Sequence, residues 1–209
     1  MSGASFQALM AAAGVSGTTL DSVGGECTLS NGNLTVTRSS FSVVNDTGAR
    51  STLTKTTGKY YFEFTRGQSN GASNSVGLIL STGTYGDLSG GNKGSIWFVN
   101  FGPGYIYSNN ASSTLNTATS SVATDVIGCA VDLTARLVWF RKNNGVWNAN
   151  GANNPATGVG GITVLASGAF APVVCFSSGG AGNVNDTVTA NFGATAFAQT
   201  APSGFGNWA

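Results

Sequence analysis

The chain holds no histidine among its 209 residues. That removes the Ser-His-Asp triad, the Cys-His pair, the histidine general base and every histidine-ligated zinc from the chemistry open to it. Its carboxylates number eight: Asp21, Glu26, Asp46, Glu63, Asp87, Asp125, Asp132 and Asp186. Glycoside hydrolysis needs two of them roughly 5–10 Å apart across a cleft. These eight are dispersed and stand in no catalytic signature, so the chain reads as a non-enzyme. The three cysteines form no C-x-x-C, which leaves a zinc ribbon or a dithiol site without local support. Cys129 and Cys175 lie in apolar runs and read as small buried hydrophobes. Cys27 lies in a more polar stretch and reads as the accessible thiol; whether it pairs between chains stays open. The glycine clusters complete neither G-x-x-x-x-G-K-[ST] nor G-x-G-x-x-G. The Asn-rich stretches 143–154 and 183–187 offer Asp186 as their single carboxylate, too few for calcium, and read as turns. The reading is therefore no cofactor and no metal.

Charge narrows the partners. Nine Lys+Arg against eight Asp+Glu leave a net charge of +1. Such a balance supplies no basic field to release counterions from nucleic acid and no pull towards an anionic lipid surface. Charged residues are 8% of the chain, against about 25% in an ordinary soluble protein. Polarity comes instead from Ser, Thr and Asn, with 31 glycines between them. No apolar run approaches the roughly 20 residues that span a bilayer, so membrane insertion is not expected.

These features need elements to carry them, and the pattern after residue 20 is strands and turns. Residues 28–37 read as a hairpin around Asn31-Gly32, a dipeptide suited to positive φ. Gly58 opens a strongly β-forming run to Thr65, in which Tyr60, Phe62 and Phe64 share one face and Tyr61, Glu63 and Thr65 the other. Further strands are predicted at 49–53, 75–81, 95–99 and 105–107. The clearest hairpin joins 125–133 to 136–142, with Leu137 and Trp139 opposite Val138 and Phe140. Strands at 162–166, 171–177 and 187–192 complete about a dozen, while 82–95, 108–124 and 148–161 read as loops. Frequent turns between short alternating strands predict an all-β, antiparallel sandwich. Its expected core includes Phe62, Phe64, Ile127, Val131, Trp139, Phe140 and Phe192. Glu63 and Asp132 read as structural acceptors or exposed acids. Residues 1–24 read as a separate N-terminal appendage, helix-like over Phe6–Ala13, and 25–209 as the sandwich with a C-terminal tail.

The run Gly58-Lys59-Tyr60-Tyr61-Phe62-Glu63-Phe64, then Val76-Gly77-Leu78, then Asp125–Leu133 with Leu137–Trp147, then Ala171-Pro172 resembles the SPRY (B30.2-like) domain in order and spacing, over about residues 25–193. The stretch 125–147 is the most specific part. Thr189–Gly193, Phe197 and Pro202–Phe205 resemble the SPRY-type proteins of bacteria and tailed bacteriophages. The resemblance implies a SPRY sandwich whose ligand surface is made by loops at one edge. Those loops diverge between members, so no binding residue carries over.

Three functions follow from these readings. The leading one is a non-enzymatic virion structural or decoration protein, in capsid, collar, tail or fibre, partnered by other virion proteins and forming a homo-oligomer. The N-terminal Phe6, Leu9 and Met10 would then be its assembly contact. The second is a receptor- or glycan-binding adhesin for a host surface glycan or protein. The third is a cellular protein–protein recognition domain, located in the cytoplasm and not in a virion. A surface ligand would meet the loops at 82–95, 100–124 and 143–161, where Tyr85, Phe101, Tyr105, Tyr107 and Trp147 offer ring faces. Asn109, Asn110 and Asn144 supply amides for hydroxyl-rich ligands. Tyr107 and Trp147 suit capping of the core equally well.

Overall fold

The computed structural model describes residues 17–22, 26–40, 47–68, 74–85, 96–99, 105–108, 111–113, 122–164, 166–176 and 184–209. They form two antiparallel sheets. In one, the strands run in the order β1 (Leu20–Ser22), β4 (Thr47–Ser51), β13 (Phe170–Phe176), β6 (Asn74–Leu80), β7 (Ile96–Val99), β8 (Tyr105–Ser108) and β9 (Ala111–Ser113). In the other the order is β12 (Ile162–Thr163), β11 (Leu137–Lys142), β10 (Val126–Asp132), β5 (Lys59–Arg66), β14 (Thr187–Asn191), β3 (Thr35–Arg38) and β2 (Cys27–Ser30). The short β15 (Gly206–Asn207) joins this second sheet by pairing in parallel with β5.

The period-2 pattern decides which side chains meet between the sheets. Phe62 and Phe64 of β5 face Val76 and Leu78 of β6 and Val174 and Phe176 of β13 in one core, with Ile127, Val131 and Phe140 from the neighbouring strands. The seven core residues read from the sequence are all buried, though Trp139 sits in a different cluster, on the outer side of its sheet. Gly58 enters β5 at φ +100°, a conformation that side chains disfavour, as its place before the strand requires. The Asn31-Gly32 hairpin forms between β2 and β3, with Asn31, Gly32 and Asn33 all at positive φ.

At one end of the sandwich the inward register turns polar. Arg38 follows Val36, Arg66 follows Phe64, Asp186 precedes Val188, Asn74 precedes Val76 and Thr47 precedes Ala49; none exposes more than 3% of its surface. Burial pushes the Arg66 guanidinium below its ordinary value, opposed by the charges of Asp186 and Asp125. Arg38 is ion-paired with Glu26 at 3.3 Å. Cys27 Sγ and Thr47 Oγ1, 3.5 Å apart, link the two sheets there.

Several expectations change. The sandwich begins before residue 25: β1 pairs with β4, Leu20 is in the core, and the Thr18 hydroxyl donates to the Trp208 carbonyl at 3.4 Å. The helix-like stretch, with Phe6, Leu9 and Met10, lies outside the described residues. The expected loop 108–124 contains β9, because its backbone pairs with β8 although its residues are only alanine and serine. The loop 148–161 carries 3-10 turns at Trp147–Ala149 and Pro155–Thr157. The C-terminal residues are structural: Trp208 is fully buried, edge-on to Tyr60 and Phe62 at 5.2 and 5.5 Å, and its indole N–H donates to the Leu53 carbonyl at 3.1 Å. Of the cysteines, Cys27 is half-buried while Cys129 and Cys175 are buried, and all three are free thiols. Replacing Trp208 with alanine is expected to cost about 3–5 kcal/mol in urea denaturation. A loss under about 1 kcal/mol would place the last residues outside the cooperative core.

Candidate recognition surface

The strand β5 is buried on both faces, so its outer side chains need a cover as well as its inner ones. Tyr61 and Glu63 point outward, beside Ala130 of β10 and Trp139 of β11. A carboxylate there must be fully hydrogen-bonded or its burial is costly. Glu63 Oε1 accepts from the Tyr61 hydroxyl and the Gln199 backbone N–H, and Oε2 accepts from the Ala198 N–H, all at 2.8 Å. Burial pushes the Tyr61 phenol upward, so it stays a donor. Phe197 lies edge-on to Tyr61 at 4.8 Å and Phe205 edge-on to Trp139 at 6.4 Å. Gly128 of β10 lets this layer approach: a Cβ there would lie 2.6 Å from the Tyr61 hydroxyl oxygen. Glu63 is a structural acceptor, and so is Asp132, which accepts from Ala135 N at 2.8 Å and pairs with Lys59 at 3.4 Å.

Beside this cover, residues 143–161 fold along the edge of β11, which β12 pairs with only at Leu137 and Val138. An exposed edge offers unpaired N–H and C=O groups that invite foreign strands. Here the side-chain amide of Asn148 stands in for a strand. Its Oδ1 accepts from Phe140 N at 2.8 Å, and its Nδ2 donates to Val138 O at 3.2 Å and Gly160 O at 2.9 Å. The Trp139 indole donates to the Val159 carbonyl at 2.8 Å, and Asn153 Nδ2 to the Trp147 carbonyl at 3.0 Å. At the root of the loop, Val126 N donates to Asn143 Oδ1 at 2.8 Å, while Asn143 Nδ2 donates to Asp125 Oδ1. The loop is thus held from both ends, yet it presents Val146 and Val159 to solvent at 54% and 49% exposure.

Of the aromatic and amide residues singled out from the sequence, Asn144 and Trp147 come together on this loop. Asn144 is exposed at φ +58°. Trp147 is half-buried, with the Arg141 guanidinium 4.4 Å from its ring centroid and Tyr61 edge-on at 6.4 Å. Tyr85 corrects its expectation. It is 6% exposed and packs on the outer face of the other sheet against Ile79, Ala171, Val173 and Cys175. Arg50 fixes that turn by donating to the carbonyls of Ser81 (2.8 Å) and Gly83 (3.2 Å). Tyr105 and Tyr107 pair with Val99 and Trp97 on β8, as the strand read at 105–107 requires, so their backbone is strand and not the 100–124 loop expected to meet a ligand. Phe101, Asn109 and Asn110 lie outside the described residues. Asp186 faces the interior, and no group of three metal-ligating side chains occurs among the described residues. Sequence reading passed over Asn148, Arg141, Gln199 and the two valines. Asn148 stands among many like asparagines, and no local pattern distinguishes it from Asn144.

Asp125 yields a pH test. Burial alone would raise its carboxyl, but hydrogen bonds from Val122 N and Asn143 and the charge of Lys142 outweigh that and hold it below the usual carboxylate value. A carboxyl depressed by folding stabilises above its unfolded value and loses that contribution as pH falls through the folded one. The urea midpoint should therefore fall as pH drops below about 4, and Asp125→Asn should show a shallower fall. Equal slopes for the two proteins would remove Asp125 from this role.

A family model for the SPRY domain matches residues 59–195, more than half of the chain. Among solved structures, the chain is similar to the SPRY domain of human HERC1, with a TM-score of 0.61 and 18% identity over 81% of this chain and 96% of that one. It is also similar to the TRIM65 PSpry domain, with a TM-score of 0.58 and 15% identity over 83% and 88%. At these identities the likeness is one of fold. No curated protein matches the chain in sequence. The matched span begins later than the resemblance read from about residue 25, and it ends before most of the segment that covers β5. With the two-sheet architecture and the family match in agreement, the chain belongs to the SPRY domain family, a family of protein–protein recognition modules.

Proposed function

We propose that the chain is a non-enzymatic component of a bacteriophage virion that binds a protein partner through the 143–161 loop. The observation that carries the binding surface is the exposure of Val146 and Val159 on a loop whose backbone is tied down by Asn148, Trp139 and Asn153. Apolar side chains held in place before contact gain burial at little ordering cost. Valines offer nothing to a hydroxyl-rich sugar. The aromatic platforms that a sugar needs are weakened here, with Tyr85 buried and the Arg141 guanidinium lying over the Trp147 ring. A protein partner is therefore preferred over a glycan. The virion setting, with other virion proteins as partners and a homo-oligomeric form, rests on the C-terminal resemblance and on the sparsely charged Ser/Thr/Asn/Gly composition.

The test is made on particles purified from a producing culture. The chain should be found in them by mass spectrometry, with cross-links from loop 143–161 to a second virion protein. The double variant Val146→Asp/Val159→Asp should enter particles at least about tenfold less, the size expected when buried interface contacts are lost. Its melting temperature should stay within about 2 °C of the parent, as for exposed substitutions. Absence of the chain from particles would end the virion setting, and normal entry of the double variant would move the interface off this loop. Binding to host glycans by the isolated chain would favour the adhesin reading instead.

A further inference from the structure

The segment 196–209 lies beyond the span matched by the family model, yet it touches the root of the loop read above as the binding surface. Gln199 is 4% exposed, and its amide works in two directions. Its Oε1 accepts from the Asn144 backbone N–H at 3.0 Å, and its Nε2 donates to the Val126 carbonyl at 2.8 Å. Thr200 N donates back to Asn144 Oδ1 at 3.4 Å. Arg141 donates to the Thr200 carbonyl while its guanidinium lies over Trp147. Phe197, Tyr61 and Trp147 follow one another in edge contacts. Asn144 holds a left-handed backbone conformation, one that asparagine adopts more readily than other non-glycine residues, and these bonds fix both its N–H and its side chain there. The segment itself is held by Glu63 at one end and by buried Trp208 at the other.

We propose that residues 196–209 act as a clasp that sets the conformation of the 143–161 loop, with Gln199 and Arg141 as positioning residues, so that seating of the C-terminal segment governs partner affinity. This rests on the reading of that loop as the binding surface. The two parts of the clasp differ in role: Trp208 closes the core, whereas Gln199 and Arg141 transmit the position of the segment to Asn144 and Trp147. A partner or modification that displaced 196–201 would loosen the loop without unfolding the sandwich.

Backbone amide exchange by NMR on the full chain, with no partner present, tests the clasp apart from the binding reading. In Gln199→Ala, the amides of Asn144, Gly145 and Asn150 should exchange at least about fivefold faster through local opening. The Leu34 amide, in the distant hairpin, should not change. Gln199→Glu keeps an acceptor for the Asn144 N–H but sets a carboxylate oxygen against the Val126 carbonyl in place of the donating Nε2, so Asn144 should still exchange faster than in the parent. Trp208→Phe, which loosens the far end of the same segment, should lower the melting temperature without accelerating Asn144 beyond the global change. Unchanged exchange in Gln199→Ala, or equal acceleration in Trp208→Phe, would overturn the clasp. Particle entry of Gln199→Ala should fall at least about threefold, as for loss of a positioning contact. Normal entry with a loosened loop would end the claim of control over binding, while the Val146/Val159 double variant judges the recognition reading separately.

Discussion

A carboxylate buried on the outer face of a central strand is the constraint around which this molecule is organised. Glu63 sits on β5, between β10 and β14, with Phe62 and Phe64 on either side of it in sequence filling the inner core. A sandwich of two sheets covers only inner faces, so a strand buried on both sides demands a third layer. The charge of Glu63 specifies what that layer must contain. It needs N–H donors aimed at two oxygens, and Ala198 and Gln199 supply them from the backbone. Leaving that carboxylate buried with its donors removed would be strongly unfavourable.

The third layer has two parts with different duties. The C-terminal segment completes β5: β14 pairs only with its second half, from Glu63 to Arg66, and β15 takes Tyr60 and Tyr61. Trp208 then closes the core from below. The loop 143–161 covers β11, where Asn148 acts as a one-residue strand. An amide side chain copies the donor and acceptor of a peptide unit, which is why one asparagine satisfies both Phe140 N and Val138 O. The result is a loop with fixed ends and apolar tips, a form suited to recognition because little remains to be ordered on contact.

The inner core was legible in the sequence because its signal is local. Tyr60, Phe62 and Phe64 alternate along one strand, as do Val138 and Phe140 along another, and all are buried except Tyr60, which is partly buried against the same core. The Asn31-Gly32 turn and the positive φ of Gly58 were legible for the same reason, since each depends on its own backbone. The site was much less legible. Tyr85 stands between glycines and reads as a loop aromatic, yet a turn fixed by Arg50 lays it onto the outer face of the opposite sheet. The small residues 111–113, an alanine and two serines, carry no strand pattern, and pairing with β8 alone makes them a strand.

The sequence by itself determined the all-β class, the absence of histidine chemistry, the family and the inward register of the main strands. Composition and a period of two suffice for the class and the register, both visible within a few residues, whereas the family is legible in the order and spacing of the motifs from Gly58 to Pro172. Only the tertiary structure decided that Trp139 packs outward under Phe205, that Trp208 belongs to the core, and that Gln199 reaches Asn144 across 55 positions of chain. These contacts join segments far apart in sequence, each polar or aromatic residue looking locally like its neighbours. What distinguishes them is the unmet hydrogen-bonding and burial demand of β5 and β11, and that demand exists only once the sheet has formed.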